Sequence, residues 1–144
     1  MRNRFDRQLS TLNDELIEMG SMIEKSIETA IKALVNQDVD LARHAIEADE
    51  EIDRQERIIE DLCLKLLLQQ QPVAKDLRLI SSALKMVTDM ERIGDHAADI
   101  SEMTILMSSY KPYRVNIEHV KSMASETMLM LIRACLLYTS PSPR

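Results

Sequence analysis

The sequence predicts an all-α protein, an antiparallel three-helix bundle followed by one further helix, and three observations carry that reading. The 144 residues include only two glycines, four prolines, one Phe and no Trp, little material for turns and aromatic-rich sheets. Ala, Leu, Ile, Met, Glu, Lys and Arg dominate the remainder, and these are helix formers. Apolar residues recur at steps of three and four along most of the chain, the period of an amphipathic helix.

The first helical pattern covers residues 3–35, with Phe5, Leu9, Leu12, Leu16, Met19, Ile23, Ile27, Ile31 and Leu34 on its apolar face. Asn36-Gln37-Asp38 breaks it, and Asp38 is placed to cap the next helix. The second pattern covers residues 39–70 and turns Ala42, Ala45, Ile46, Ile52, Ile59, Leu62 and Leu66 inward. Three glutamines end it, and Pro72 suits the first turn of a new helix. The third pattern covers residues 72–109 and closes before Pro112. Helices of this length reach roughly 45–60 Å at 1.5 Å per residue, so with short joints they must fold back on one another.

A fourth pattern begins near residue 115. Its Met123-Ala-Ser-Glu-Thr echoes Met19-Gly-Ser-Met-Ile of the first helix, which suggests the opening of a second copy of the three-helix unit. The expected organisation is therefore residues 1–111 as one bundle, 112–135 as the first helix of a truncated second, and 136–144 as a non-native tail. From Cys135 onward the sequence turns to Leu-Leu-Tyr-Thr-Ser-Pro-Ser-Pro-Arg and resembles translated adapter sequence, foreign to the fold.

Charge and composition exclude several functions. A net charge of −6 does not suggest nucleic-acid binding. No apolar run approaches the ~20 residues of a membrane span, and the N-terminus lacks a secretory core. Cys63 and Cys135 show no disulfide or metal spacing, which fits a reducing, cytoplasmic setting. The methionines, ten in all, are read as core filler.

The chemistry concentrates in Asp89-Met-Glu-Arg-Ile-Gly-Asp-His-Ala-Ala-Asp99, where Glu91, Asp95 and Asp99 stand at i, i+4 and i+8 on one helix face. Leu77, Ile80, Leu84 and Val87 lead into them at core spacing, and Ile105 and Leu106 follow, so the carboxylates fall on or beside a buried stripe. Charges there need a partner, and a metal ion would supply one. Arg92 and other cations pairing these groups is the plainer alternative. Asp49, Asp53, Glu56 and Glu60 form a second acidic ladder, which taken alone reads first as a solvated face paired with Arg54 and Arg57, since most charge runs are surface faces.

Carboxylates without a convergent His or Cys suit hard ions such as Mg²⁺, Mn²⁺, Ca²⁺ or iron, with a multinuclear cluster open to bridging carboxylates. His96 points about 100° from Asp95 and reads as a surface group, or as one that backs a ligand, rather than as a ligand itself. Gly94 either admits a close helix approach or is merely tolerated. There is no phosphate-binding Gly-rich loop, nucleophile elbow or pair of Glu-x-x-His motifs; Glu118 and His119 are simply adjacent.

Gln71-Pro-Val-Ala-Lys-Asp-Leu-Arg-Leu-Ile80 and Lys85-Met-Val-Thr-Asp-Met-Glu-Arg-Ile-Gly-Asp95 resemble the PhoU family, as do Asp38-x-x-Leu41-Ala42 and Asp49-x-x-Ile52-Asp53. The resemblance implies tandem three-helix bundles with metal-binding Glu/Asp-x-x-x-Asp motifs. These map onto Glu91, Asp95 and Asp99, with Asp49 and Asp53 on the facing helix. It also implies a non-enzymatic cytoplasmic regulator that damps phosphate uptake and phosphate-starvation signalling. Its partners would be the ATPase subunit of the phosphate ABC transporter and the phosphate-sensing histidine kinase. It would be a homodimer when full length, peripheral to the membrane through those partners. A metal-dependent hydrolase using the carboxylates and a purely structural helical scaffold are the alternatives.

Overall fold

A computed structural model describes residues 2–69, 72–110 and 116–139. It holds four helices: α1 (Arg2–Asn36), α2 (Val39–Gln69), α3 (Ala74–Met107) and α4 (Ile117–Thr139). The first three pack mutually as an antiparallel bundle, and α4 packs on α1.

The joint between α1 and α2 is built from local hydrogen bonds. Gln37 takes the left-handed conformation, with φ of 53°. That turn lets its N–H donate to Leu34 O at 3.4 Å and the Asp38 N–H donate to Ala33 O at 2.9 Å, a Schellman-type ending. Asp38 then caps α2, its Oδ1 accepting the Leu41 N–H at 3.1 Å. Asp38→Ala is expected to cost about 1 kcal/mol, read as a lower urea midpoint at unchanged slope. The entry to α3 is plainer: Val73 is extended and offers no side-chain cap, so the helix starts at Ala74 rather than at Pro72.

The core follows the period of three and four on every helix. Leu12, Leu16, Met19 and Ile23 of α1 meet Ile52, Ile59, Cys63 and Leu66 of α2 and Ile80, Ala83, Val87 and Met90 of α3, all buried. The α3 stripe is displaced from the expected one. Its buried line runs Ile80, Ala83, Val87, Met90, Gly94, Ala97, Ser101 and Thr104, while Leu77 and Leu106 are exposed. Two apolar neighbours on a helix can both fit a seam by spacing, and packing selects between them. Here the small residues win at the C-terminal half, because Ala97, Ser101 and Thr104 let the helices approach. The methionines divide: Met19 and Met90 fill the core, whereas Met103, Met123 and Met130 are exposed.

α4 returns antiparallel to α1, along the groove between α1 and α3. Near its start, Val120 and Ala124 share an apolar cleft with Ile27, Ile31 and Ile93. Near its end, the Cys135 thiol stands where Gly20 of α1 leaves room; a methyl on Gly20 would sit 3.0 Å from its Sγ. Leu131 and Cys135 are buried, and the Tyr138 hydroxyl donates to Leu79 O at 2.8 Å. Cys135 and Tyr138, from the stretch expected to be foreign to the fold, are thus packed on it, because α4 continues through them and turns both toward the bundle while Leu136 and Leu137 between them stay exposed. The Ser/Pro-rich residues 140–144 lie outside the described residues. The opposite side of α4 exposes Leu129, Met130, Leu136 and Leu137.

Candidate metal centre

On α2 the buried line Ala42, Ala45, Ile52, Ile59, Cys63, Leu66 has gaps that its own period assigns to residues 49 and 56. Asp49 and Glu56 occupy those gaps, with Asp53 between them. On α3, Glu91 and Asp95 each follow a buried residue, Met90 and Gly94. α2 and α3 pack tightly along their length. The two helices therefore bring five half-buried carboxylates to one edge of their interface.

They form two overlapping groups. Asp49, Asp53 and Asp95 each offer an oxygen within 4.8 Å of the others, and so do Asp53, Glu56 and Glu91. Asp53 belongs to both. One oxygen of Asp49 and one of Asp53, Oδ1 in each case, are closed off from solvent with no hydrogen-bond donor. No ion pair among the described residues engages any of the five. Arg92 faces Asp89 at 4.0 Å on an exposed surface, and Arg57 acts on Glu56 only through its field.

Burial, and after it the crowding of like charges, shows in the proton affinities. Burial, then the charges of Asp53 and Asp95, raises Asp49 to about 6. Burial, then Asp95 as hydrogen-bond partner and charge, raises Glu91 to about 8. Glu56 is also raised, by burial and then by Glu60 and Asp53, with Arg57 opposing. Each carboxylate here would be easier to ionise if a cation stood beside it.

Asp99 does not join the group. Its side chain is 69 % exposed and faces His96 at 3.8 Å. A step of four residues turns a helix by 40° beyond a full turn, so two such steps carry Asp99 well away from Glu91. His96, itself 71 % exposed, occupies the surface position expected of it. Glu56, a member of the second acidic ladder outside the expected ligand set, does join the group, beside Asp53 and Glu91. The signal was available, since Glu56 lies seven residues from Asp49 and so shares its seam position. Gly94 does accommodate a close approach, with Ile52 of α2 packed against it.

Fold and site together define a class: an all-helical bundle with a carboxylate-lined, cation-poor edge between two of its helices. The PhoU domain family matches residues 16–104. The phosphate-specific transport system accessory protein PhoU homolog of Synechocystis is 32% identical over 142 residues, covering 99% of this chain and 63% of that protein. The phosphate-specific transport system accessory protein PhoU of Escherichia coli K12 is 33% identical over 130 residues, covering 89% and 53%. The crystal structure of PhoU from Pseudomonas aeruginosa superposes with a TM-score of 0.84 at 34% identity, over 90% of this chain and 62% of that one. The chain belongs to the PhoU family. It spans between about half and two thirds of the length of these relatives. Among the described residues, no helix is long and apolar enough to cross a membrane.

Proposed function

We propose that the chain is a metal-binding, non-enzymatic regulator of phosphate uptake. The observation that carries the metal reading is the pair of overlapping carboxylate groups with the donorless, enclosed Asp49 and Asp53 oxygens. Five carboxylates with no His or Cys among them fit a hard ion: Mg²⁺, Mn²⁺, Ca²⁺ or iron. Asp49, Asp53 and Asp95 would hold one ion and Asp53, Glu56 and Glu91 a second, with Asp53 common to both. The ions would neutralise the crowded charges and lock α2 to α3. Asp99 contributes through its field at Asp49.

The regulatory reading draws on the relatives, which are described as accessory proteins of phosphate-specific transport. In this proposal the protein works in the cytoplasm, contacts the transporter ATPase and the sensor kinase, and reaches the membrane only through them. α4 would open a second three-helix unit, with dimerisation in a longer form. Its exposed leucines and methionines are the surface such packing would cover.

Metal analysis of the purified chain tests the first part. The parent is expected to retain a hard metal through gel filtration, and Glu91→Gln with Asp95→Asn to lose it while staying helical. A metal-free parent that gains no thermal stability from Mg²⁺, Mn²⁺, Ca²⁺ or iron would leave the scaffold reading. Phosphoester hydrolysis by the loaded parent, absent from the double variant, would overturn the non-enzymatic one. Pull-down of the transporter ATPase and the kinase tests the second part, with binding of neither as the refuting result.

A further inference from the structure

Gly94 is packed beneath the carboxylates, on the side of α3 that faces α2. A methyl group at its Cα would stand 3.3 Å from Ile52 Cγ2, 3.4 Å from Ile52 Cδ1 and 3.6 Å from Asp49 Oδ1. The first distance is tighter than ordinary carbon contacts and the second stands at their lower edge, so a methyl would force a displacement of a few tenths of an ångström. Ile52 cannot absorb it easily. It is 1% exposed within the core, and its β-branch restricts rotation. The displacement therefore passes to the α2 backbone, which carries Asp49 three residues before Ile52 and Asp53 one residue after it.

We infer that Gly94, by setting the distance between α2 and α3 at the carboxylates, determines the size of ion the centre accepts. This rests on the metal-binding reading above. Oxygen ligands stand about 2.0–2.1 Å from Mg²⁺ and about 2.3–2.6 Å from Ca²⁺. That difference matches the scale of the displacement a single methyl would cause. Asp49 and Asp95 come from opposite helices, so any widening opens their span directly. Gly94 touches no ion and acts by holding Ile52, and with it Asp49, close to α3. In a helix interior glycine is otherwise the poorer choice beside alanine.

The test uses the whole chain loaded with Mn²⁺, followed by electron paramagnetic resonance as Mg²⁺ or Ca²⁺ displaces it. The quantity read is the Mg²⁺ to Ca²⁺ preference, with circular dichroism checking the fold. Gly94→Ala is expected to shift that preference roughly tenfold toward Ca²⁺. Adding Ile52→Val, which removes the Cδ1 contact, restores part of it. Ile52→Val alone, which leaves glycine in place and relaxes the gap, moves the preference toward Mg²⁺ and covers the case in which Gly94→Ala does not fold. Unchanged preference in the folded variants overturns the inference while metal binding stands. Failure of the parent to bind Mn²⁺ overturns both.

Discussion

Raising the pH from about 5 to about 8 in the presence of a chelator lowers the melting temperature of this protein, and Asp53→Asn removes part of that loss. The cause is the burial of carboxylates at the edge between α2 and α3, and after it their mutual crowding. Asp49 moves from 3.8 to about 6 and Glu91 from 4.5 to about 8 on folding, so the folded chain binds protons more tightly than the unfolded one. Their contribution is fully present below the unfolded values and is lost as pH rises through the folded ones. Stability therefore declines across the window from about 4 to about 8. A hard cation replaces the missing protons, so adding Mn²⁺ or Mg²⁺ at the upper end is expected to raise the melting temperature again.

Asp53 is the most telling position because it belongs to both carboxylate groups. Asn keeps its shape and removes one charge from each. Without metal at pH 8, Asp53→Asn gains on the order of 1 kcal/mol, a few degrees, after allowance for solvent screening. With metal, it no longer responds. Calorimetry over pH, with and without the ion, reads both effects. A melting temperature that climbs with pH in chelator would show that the carboxylates are not crowded as described.

Ile59→Ala, two turns further along the same helix, has the opposite sign and a larger size. Ile59 is fully buried among the core residues of α1, α2 and α3. Truncation removes its apolar contacts and leaves a cavity that rigid neighbouring helices can only partly close, costing about 2–5 kcal/mol. For a protein of ordinary stability that is a large fraction of the total. Urea denaturation of the metal-free chain measures it. A cost below about 1 kcal/mol would mean that the bundle is loosely packed at this level. Together the two variants separate what a single helix contributes to the core from what it contributes to the charged edge.

Much of this was readable from spacing. The face of α1 was correct from Phe5 to Ile27, because large aliphatic residues at steps of three and four have one sensible orientation. The Asp38 cap was equally plain, since a short acid after a break has a defined partner three residues on. α3 was harder. Its C-terminal half pairs small residues with charged ones, and the stripe through Gly94, Ala97 and Ser101 carries a weak apolar signal. The larger Leu77 and Leu106 drew the expected seam aside, although both are exposed. The same shift explains Asp99, which belongs to the acidic run in sequence but not to the group in space. Glu56 was legible as part of a ladder, yet an acidic ladder looks alike whether it faces water or another helix.

By itself the sequence determined the helical class, the helix boundaries to within a few residues, and the presence of two acidic runs on α2 and α3. These follow from local periodicity and capping, which depend on near neighbours in the chain. Only the tertiary structure decided which carboxylates meet. That choice depends on the rotation of α2 against α3, set by the packing of Ile52 over Gly94 and by the small residues that follow. It also decided that α4 and its last turn dock on α1 and α3, through a gap that Gly20 leaves for Cys135 and a carbonyl that Tyr138 reaches. Such contacts join residues far apart in the chain, and no local pattern encodes them.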